Sequence, residues 1–133
     1  MTAQRLLLAA AVLAWLAALK LPAIGAGGMT FDGFAVLERG WEGASRAVLA
    51  WYANPLFVIA IVLGLQRYRR TAVVAAFAAL MLALSSFATN ELAALTGRTV
   101  PDVTLLAGFY VWLAAHALLC AWAVLAARFM PVS

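Results

Sequence analysis

Four long apolar runs alternate with short polar segments along this chain of 133 residues. The runs cover about residues 6–24, 48–65, 72–90 and 104–127. Each run is close to the ~20 apolar residues that a membrane-spanning helix needs. The pattern therefore predicts an all-α membrane protein, with a four-transmembrane-helix bundle as its single domain.

The first run also has features of a secretory signal peptide, because Arg5 precedes a short apolar stretch and the small residues AIGAGG follow it. The run reaches a normal span length at Ile24 if the long side chain of Lys20 extends to the membrane interface. Pro22 then lies near the end of the helix. We therefore expect an uncleaved first transmembrane helix.

The longest polar stretch, residues 25–47, separates the first two spans. The glycines at 25, 27 and 28 indicate a flexible start. Asp32 is a suitable N-cap for a short helix. Large apolar residues follow it at helical spacing: Phe34, Leu37 and Trp41. This favours a short amphipathic helix on the membrane surface, with an irregular loop around a buried aromatic residue as the alternative.

The distribution of charge predicts the orientation. If both termini are cytoplasmic, the cytoplasmic side carries five basic residues and no acid: Arg5, Arg67, Arg69, Arg70 and Arg128. All five acids then lie on the other side, together with four basic residues. Basic residues favour the cytoplasmic side, so the short RYRR turn between the second and third spans is expected there.

Composition narrows the class of protein further. The chain is 68% hydrophobic and 11% charged, whereas soluble domains average about 45–50% apolar and about 25% charged residues. Little chain is left for a water-soluble catalytic domain. The net charge of +4 is scattered at the ends of apolar runs, so we expect no nucleic-acid partner. A single cysteine, Cys120, excludes an intramolecular disulfide and the four-helix disulfide-generating membrane oxidoreductases.

His116 is the sharpest candidate for chemistry, because it lies near the middle of the fourth span, where ionisable residues often have a function. Trp112 and Cys120 share its helix face. One His and one Cys do not complete a metal site, and a single His could ligate haem only across a symmetric oligomer. We expect a neutral His116 that faces other helices and bonds between them, with no metal and no cofactor.

A second group of polar residues lies towards the outer ends of helices two to four. Its candidate binding positions are Asn54, Ser85, Ser86, Asn90, Glu91 and Tyr110, with Thr89 and Thr104 nearby. The group could line an outward-facing vestibule. The favoured alternative is that the hydroxyl groups bond to their own helix backbone and that Glu91 reaches the interface.

The stretch GWEGASRAVLAWYANPLF, followed by a basic turn and later by GFYVWLAAHALL, resembles a family of small uncharacterised bacterial membrane proteins. They share a GW…AW-ANPL segment and a G-[FY]-x-W-L-A segment, and the likeness covers roughly residues 40–119. It implies a multi-pass protein of the bacterial inner membrane and assigns no catalytic residue.

The sequence contains no zincin pair, no Ser/His/Asp set and no phosphate loop. No acid lies deep in a span, which speaks against a small proton-coupled exporter. We therefore expect a non-catalytic inner-membrane protein that binds another membrane protein or itself, as an accessory subunit, scaffold or toxin-immunity protein. A small oligomeric channel or transporter that uses the outer polar cluster of helices 2–4 is the alternative, and a haem-binding redox subunit or enzyme comes third.

Overall fold

The computed structural model describes residues 2–26, 28–39, 49–88 and 104–129, and these are mostly helical. Four long helices are α1 (Ala3–Ala18), α3 (Ala53–Leu65), α4 (Arg69–Leu84) and α5 (Ala107–Arg128), and α2 (Gly33–Arg39) is short. Turns of 3-10 helix precede α3 at Ala50–Tyr52 and follow α4 at Ser85–Ala88. Three short strands complete the fold: β1 (Pro22–Ala26), β2 (Met29–Asp32) and β3 (Thr104–Leu105).

The long helices alternate in direction. Gln4 at the start of α1 donates to the carbonyl of Leu125 near the end of α5, so these two helices are antiparallel. Gly64 near the end of α3 lies against Trp122 in the last turns of α5, so α3 and α5 run the same way. The short turn between α3 and α4 makes the predicted tight hairpin, and Arg67 in that turn has a φ of 70°. All five arginines of the predicted cytoplasmic side therefore lie in the turn or in helix ends at one end of the bundle.

A three-stranded antiparallel sheet in the order β2-β1-β3 covers the opposite end. The hairpin between β1 and β2 turns at Gly28, whose φ of 79° is the left-handed conformation that glycine adopts without strain. Main-chain hydrogen bonds join the start of α2 to the residues that follow α1, from Gly33 to the carbonyl of Leu21 and from Phe34 to that of Leu19. Asp32 caps α2 as predicted, because its Oδ1 accepts from the N–H of Ala35 at 2.8 Å.

The prediction of an all-α chain is therefore wrong at this end of the molecule. The first helix ends at Ala18 and not near Ile24, and residues 22–26 form a strand. Pro22 has no N–H and cannot continue the helical hydrogen bonds, and the glycines that follow suit a hairpin. The segment predicted as an interfacial helix or a loop begins as a strand and continues as α2, while residues 40–48 lie outside the described ranges.

Within the described ranges, two helices are long and apolar enough to cross a membrane: Arg69–Phe87 with 19 residues and Ala107–Arg128 with 22. The other two apolar helices, Ala3–Ala18 and Ala50–Leu65, are shorter. A helix of 16 residues, the length of α1, extends ~24 Å at about 1.5 Å per residue, less than the ~30 Å hydrocarbon core. Helix length therefore supports two of the four predicted spans.

The interior is built mainly from alanine, with a few larger apolar side chains such as Phe57, Leu119 and Trp122, and many other large apolar side chains point outward. Fully buried alanines come from every long helix: Ala11, Ala53, Ala60, Ala76, Ala79, Ala83 and Ala115. Among the described residues, the largest fully buried side chains are Leu119 and His116. Leucine, valine, phenylalanine and methionine side chains cover the outside of the helices. The helices can therefore approach one another closely.

Candidate functional site

Asn54 connects three segments inside the bundle. It lies in the first turn of α3, where Pro55 costs little because amides there have no helical acceptor. Its Oδ1 accepts hydrogen bonds from the indole Nε1 of Trp15 in α1 at 3.0 Å and of Trp112 in α5 at 2.8 Å. Its Nδ2 donates to the carbonyl of Trp51 at 3.0 Å. All the hydrogen bonds that fix this amide therefore stay within the protein.

His116 joins α5 to α3 at the same level and is fully buried. Its Nδ1 lies 2.9 Å from the carbonyl oxygen of Trp112, and its Nε2 lies 3.3 Å from that of Ala53. Cys120, one turn later, is also buried. The prediction that His116 faces other helices is confirmed. Of its two neighbours on the predicted buried stripe, Cys120 is buried and Trp112 is only partly buried.

Aromatic rings surround this pair of polar side chains. The rings of Trp112 and Phe57 pack against the His116 imidazole with centroid distances of 4.6 and 5.1 Å. Trp15 in turn stacks on Phe57 with a centroid distance of 5.9 Å. We call Trp15, Asn54, Phe57, Trp112 and His116 the polar core cluster. Rings at these separations attract one another, so the cluster holds α1, α3 and α5 in register.

The predicted outer vestibule is only partly visible in the described residues. Ser85 is exposed and donates to the carbonyl of Leu82 in its own helix at 2.6 Å, as the favoured alternative predicted. Ser86 is half-buried in the 3-10 turn after α4. Tyr110 projects outward from α5 with 52% of its surface exposed, whereas Asn54 points inward and is 8% exposed. The structure therefore does not bring Asn54 and Tyr110 to one site.

Two further members of that group, Asn90 and Glu91, lie outside the described residues, as does Thr89. Thr104 forms part of β3 and is exposed. Among residues 2–26, 28–39, 49–88 and 104–129, no three His, Cys, Asp or Glu side chains come together as a possible metal site. In the same ranges, every buried side-chain nitrogen or oxygen has a hydrogen-bond partner.

Sequence reasoning selected Asn54 and His116 but missed the two tryptophans that bind Asn54. A signal was present, because an indole N–H in an apolar segment needs an acceptor. The apolar run of the first helix offers Trp15 no side-chain acceptor, so its partner had to come from another helix. Trp51, the residue whose carbonyl holds the Asn54 amide, itself donates to the carbonyl of Leu37 in α2 at 2.7 Å.

The polar core cluster acts chemically as a set of hydrogen bonds between helices, and it presents no activated nucleophile or paired carboxylates. No protein family, curated protein or solved structure matches this chain. The resemblance of residues 40–119 to small bacterial membrane proteins therefore stays a prediction.

Proposed function

We propose that this chain is a multi-pass protein of the bacterial inner membrane with four spans and both termini in the cytoplasm. It acts without catalysis, by binding another membrane protein or a second copy of itself. The observation that carries the proposal is the distribution of side-chain size, with mainly alanine inside the bundle and many large apolar side chains outside.

Large apolar side chains are exposed on each of three helices. Leu13 on α1 is 66% exposed, Val58 on α3 is 52% exposed, and Val74 and Met81 on α4 are 68% and 64% exposed. Burying one such side chain away from water stabilises a fold by about 1.5–3 kcal/mol. In water, each of these exposed side chains would forgo that stabilisation, and together they would form a large exposed apolar patch. In lipid it is favourable.

The two shorter helices, α1 and α3, share this outward surface of large apolar side chains with α4, and α5 is itself long and apolar enough to span, which supports spanning by all four. A bilayer accommodates a short span by local thinning and by flanking side chains that reach the interface. Lys20 and Arg5 flank α1 at its two ends. The arginines gathered at the other helix ends and in the α3–α4 turn support a cytoplasmic location of that end.

The outer surface is where a partner would bind, because the buried polar groups of the described interior already bond to one another. The outward face of α5 differs from those of α3 and α4, since Ala114, Ala117 and Ala121 are exposed there. Small side chains let two helices approach closely in lipid, where packing drives association. The location in a bacterial inner membrane rests on the resemblance of residues 40–119.

Topology is tested with reporter fusions after Arg70 and after Arg98. We expect them to report opposite sides of the membrane, with the Arg70 fusion cytoplasmic. Both reporters on one side would contradict the four-span arrangement, whatever the partner is.

Binding is tested by affinity purification in mild detergent followed by mass spectrometry and a measurement of mass in solution. We expect a partner, or a second copy, at fixed stoichiometry. Ala117→Leu should weaken that association, whereas the matched control Ala10→Leu, at an exposed site on α1, should not. A monomer without a partner, or equal effects of the two substitutions, would overturn the binding proposal.

A further inference from the structure

Both ring nitrogens of His116 face main-chain carbonyl oxygens, at 2.9 Å from Trp112 and 3.3 Å from Ala53. A neutral imidazole has one N–H and one bare nitrogen, and a carbonyl oxygen cannot donate. In the neutral form, therefore, one carbonyl faces a nitrogen lone pair. Only the imidazolium donates to both oxygens. We propose that His116 is a reversible proton-binding site that couples proton uptake to the contact between α3 and α5.

The aromatic neighbours of the ring add a second attraction for a cation, which acts against the cost of burying a charge in an apolar interior. The centroids of Trp112 and Phe57 lie 4.6 and 5.1 Å from that of the imidazole. A cation within ~6 Å of an aromatic centroid is attracted by the ring quadrupole, most strongly for tryptophan. Two carbonyl dipoles and two aromatic rings thus act on the same proton.

No carboxylate of the four long helices adds to this attraction or holds the charge permanently. The four long helices contain no acid, and α3 contains no titratable side chain at all. The titratable groups nearest in sequence on α5 are Cys120, one turn away, and Tyr110, which points outward. The bases of the packed helices lie in their end turns: Arg5 on α1, Arg69 and Arg70 on α4, and Arg128 on α5. Only carbonyl dipoles and aromatic rings hold the proton, and no negative charge on the four long helices does. The imidazolium of His116 therefore releases the proton as the pH rises.

Proton uptake would also be felt at Asn54. Trp112 supplies a carbonyl and a ring to His116, and its indole N–H donates to Asn54 at 2.8 Å. A change in the hydrogen bonds of the His116 ring therefore acts on Trp112. Through Asn54, which binds both Trp112 and Trp15, the change also reaches α1. The indole of Trp112 is a built-in reporter of the state of His116.

The test is nuclear magnetic resonance on the full chain in lipid nanodiscs, with ¹⁵N-labelled histidine and tryptophan. The chain has one histidine, so the ring nitrogens give a single assignable set of signals. At high pH we expect one protonated and one bare nitrogen. As the pH falls, both nitrogens should become protonated, and the Trp112 indole signal should shift with the same midpoint. Returning to high pH should restore both signals.

His116→Gln should abolish the pH-dependent shift of the Trp112 indole, whereas Cys120→Ala should retain it. Three outcomes would overturn the proposal. The ring could keep one neutral tautomer throughout the pH range in which the protein is folded. It could titrate while the Trp112 indole signal stays constant. The Trp112 shift could persist unchanged in the Gln variant.

Discussion

Replacing Asn54 with leucine tests whether its amide is what joins α1, α3 and α5. Leucine has the same branched shape and is somewhat larger, so no cavity is left, but it offers no acceptor. The indole N–H groups of Trp15 and Trp112, now at 3.0 and 2.8 Å from Oδ1, would both lose their partner. The substitution therefore removes two hydrogen bonds between helices without opening a large cavity.

The expected cost follows from the two orphaned donors. A buried donor without a partner costs about 1–3 kcal/mol, or ~2–6 kcal/mol for two. Side-chain hydrogen bonds within membrane bundles average only about 0.6 kcal/mol in measured cycles, because the unfolded state in the membrane also finds partners. Both tryptophans are only partly buried, so an indole can turn towards the surface. We expect Asn54→Leu to lower the free energy of unfolding by about 2–3 kcal/mol.

The assay is reversible unfolding in mixed micelles of a mild detergent and sodium dodecyl sulfate, followed by circular dichroism. Ser85→Ala is the matched control, because the Ser85 hydroxyl bonds only to its own helix and is exposed. It should change the free energy by less than about 0.5 kcal/mol. In a Trp112→Phe background, which removes one of the two donors, Asn54→Leu should cost about 1 kcal/mol less.

Two results would refute this reasoning. A near-zero cost of Asn54→Leu would mean that the amide does not hold the tryptophans. An equal cost in the wild-type and Trp112→Phe backgrounds would mean that the Trp112 indole is not its partner.

Four further predictions concern close packing and the buried histidine. Gly64→Ala should cost about 1–3 kcal/mol, because the new Cβ would overlap the Trp122 ring, and Trp122→Leu in that background should recover part of the loss. Gly108→Ala should destabilise at least as much in the same unfolding assay, because its Cβ would lie 2.8 Å from the main-chain carbonyl oxygens of Leu21 and Pro22 at the start of β1, which cannot rotate away. Protein purified without chelator should show no stoichiometric haem or transition metal by absorbance and metal analysis, and a signal that vanished in His116→Gln would contradict this. His116→Leu should destabilise the fold more than His116→Gln, because leucine can bond to neither carbonyl.

The long helices could be predicted from the sequence because their signal is local. An apolar run flanked by arginine indicates a span whatever it packs against, and the RYRR turn is too short to allow anything except an antiparallel hairpin. The inward face of His116 was also predictable, since a polar ring exposed to lipid is costly. The cap formed by Asp32 follows from its own side chain and the three residues after it.

Other features were decided by contacts between distant parts of the chain. The first helix ends at Ala18 because the following residues pair as β1 with β2 and β3, and β3 lies some eighty residues further along the chain. The apolar character of residues 22–24 is equally compatible with the end of a helix. A short segment adopts the secondary structure for which neighbouring segments supply hydrogen-bond partners. Hydropathy alone therefore could not decide whether residues 22–24 form the end of a helix or a strand.

The hydrogen-bond partners of Asn54 likewise depended partly on the sequence alone and partly on the tertiary structure. The sequence by itself determined that a buried amide and buried indoles must find hydrogen bonds, because unpaired polar groups are costly in an apolar interior. It did not determine which ones meet: Trp15 and Trp112 are 39 and 58 residues away from Asn54. Small residues let α1, α3 and α5 pack closely. Only this packing decided that both indoles reach the side-chain carbonyl oxygen of Asn54.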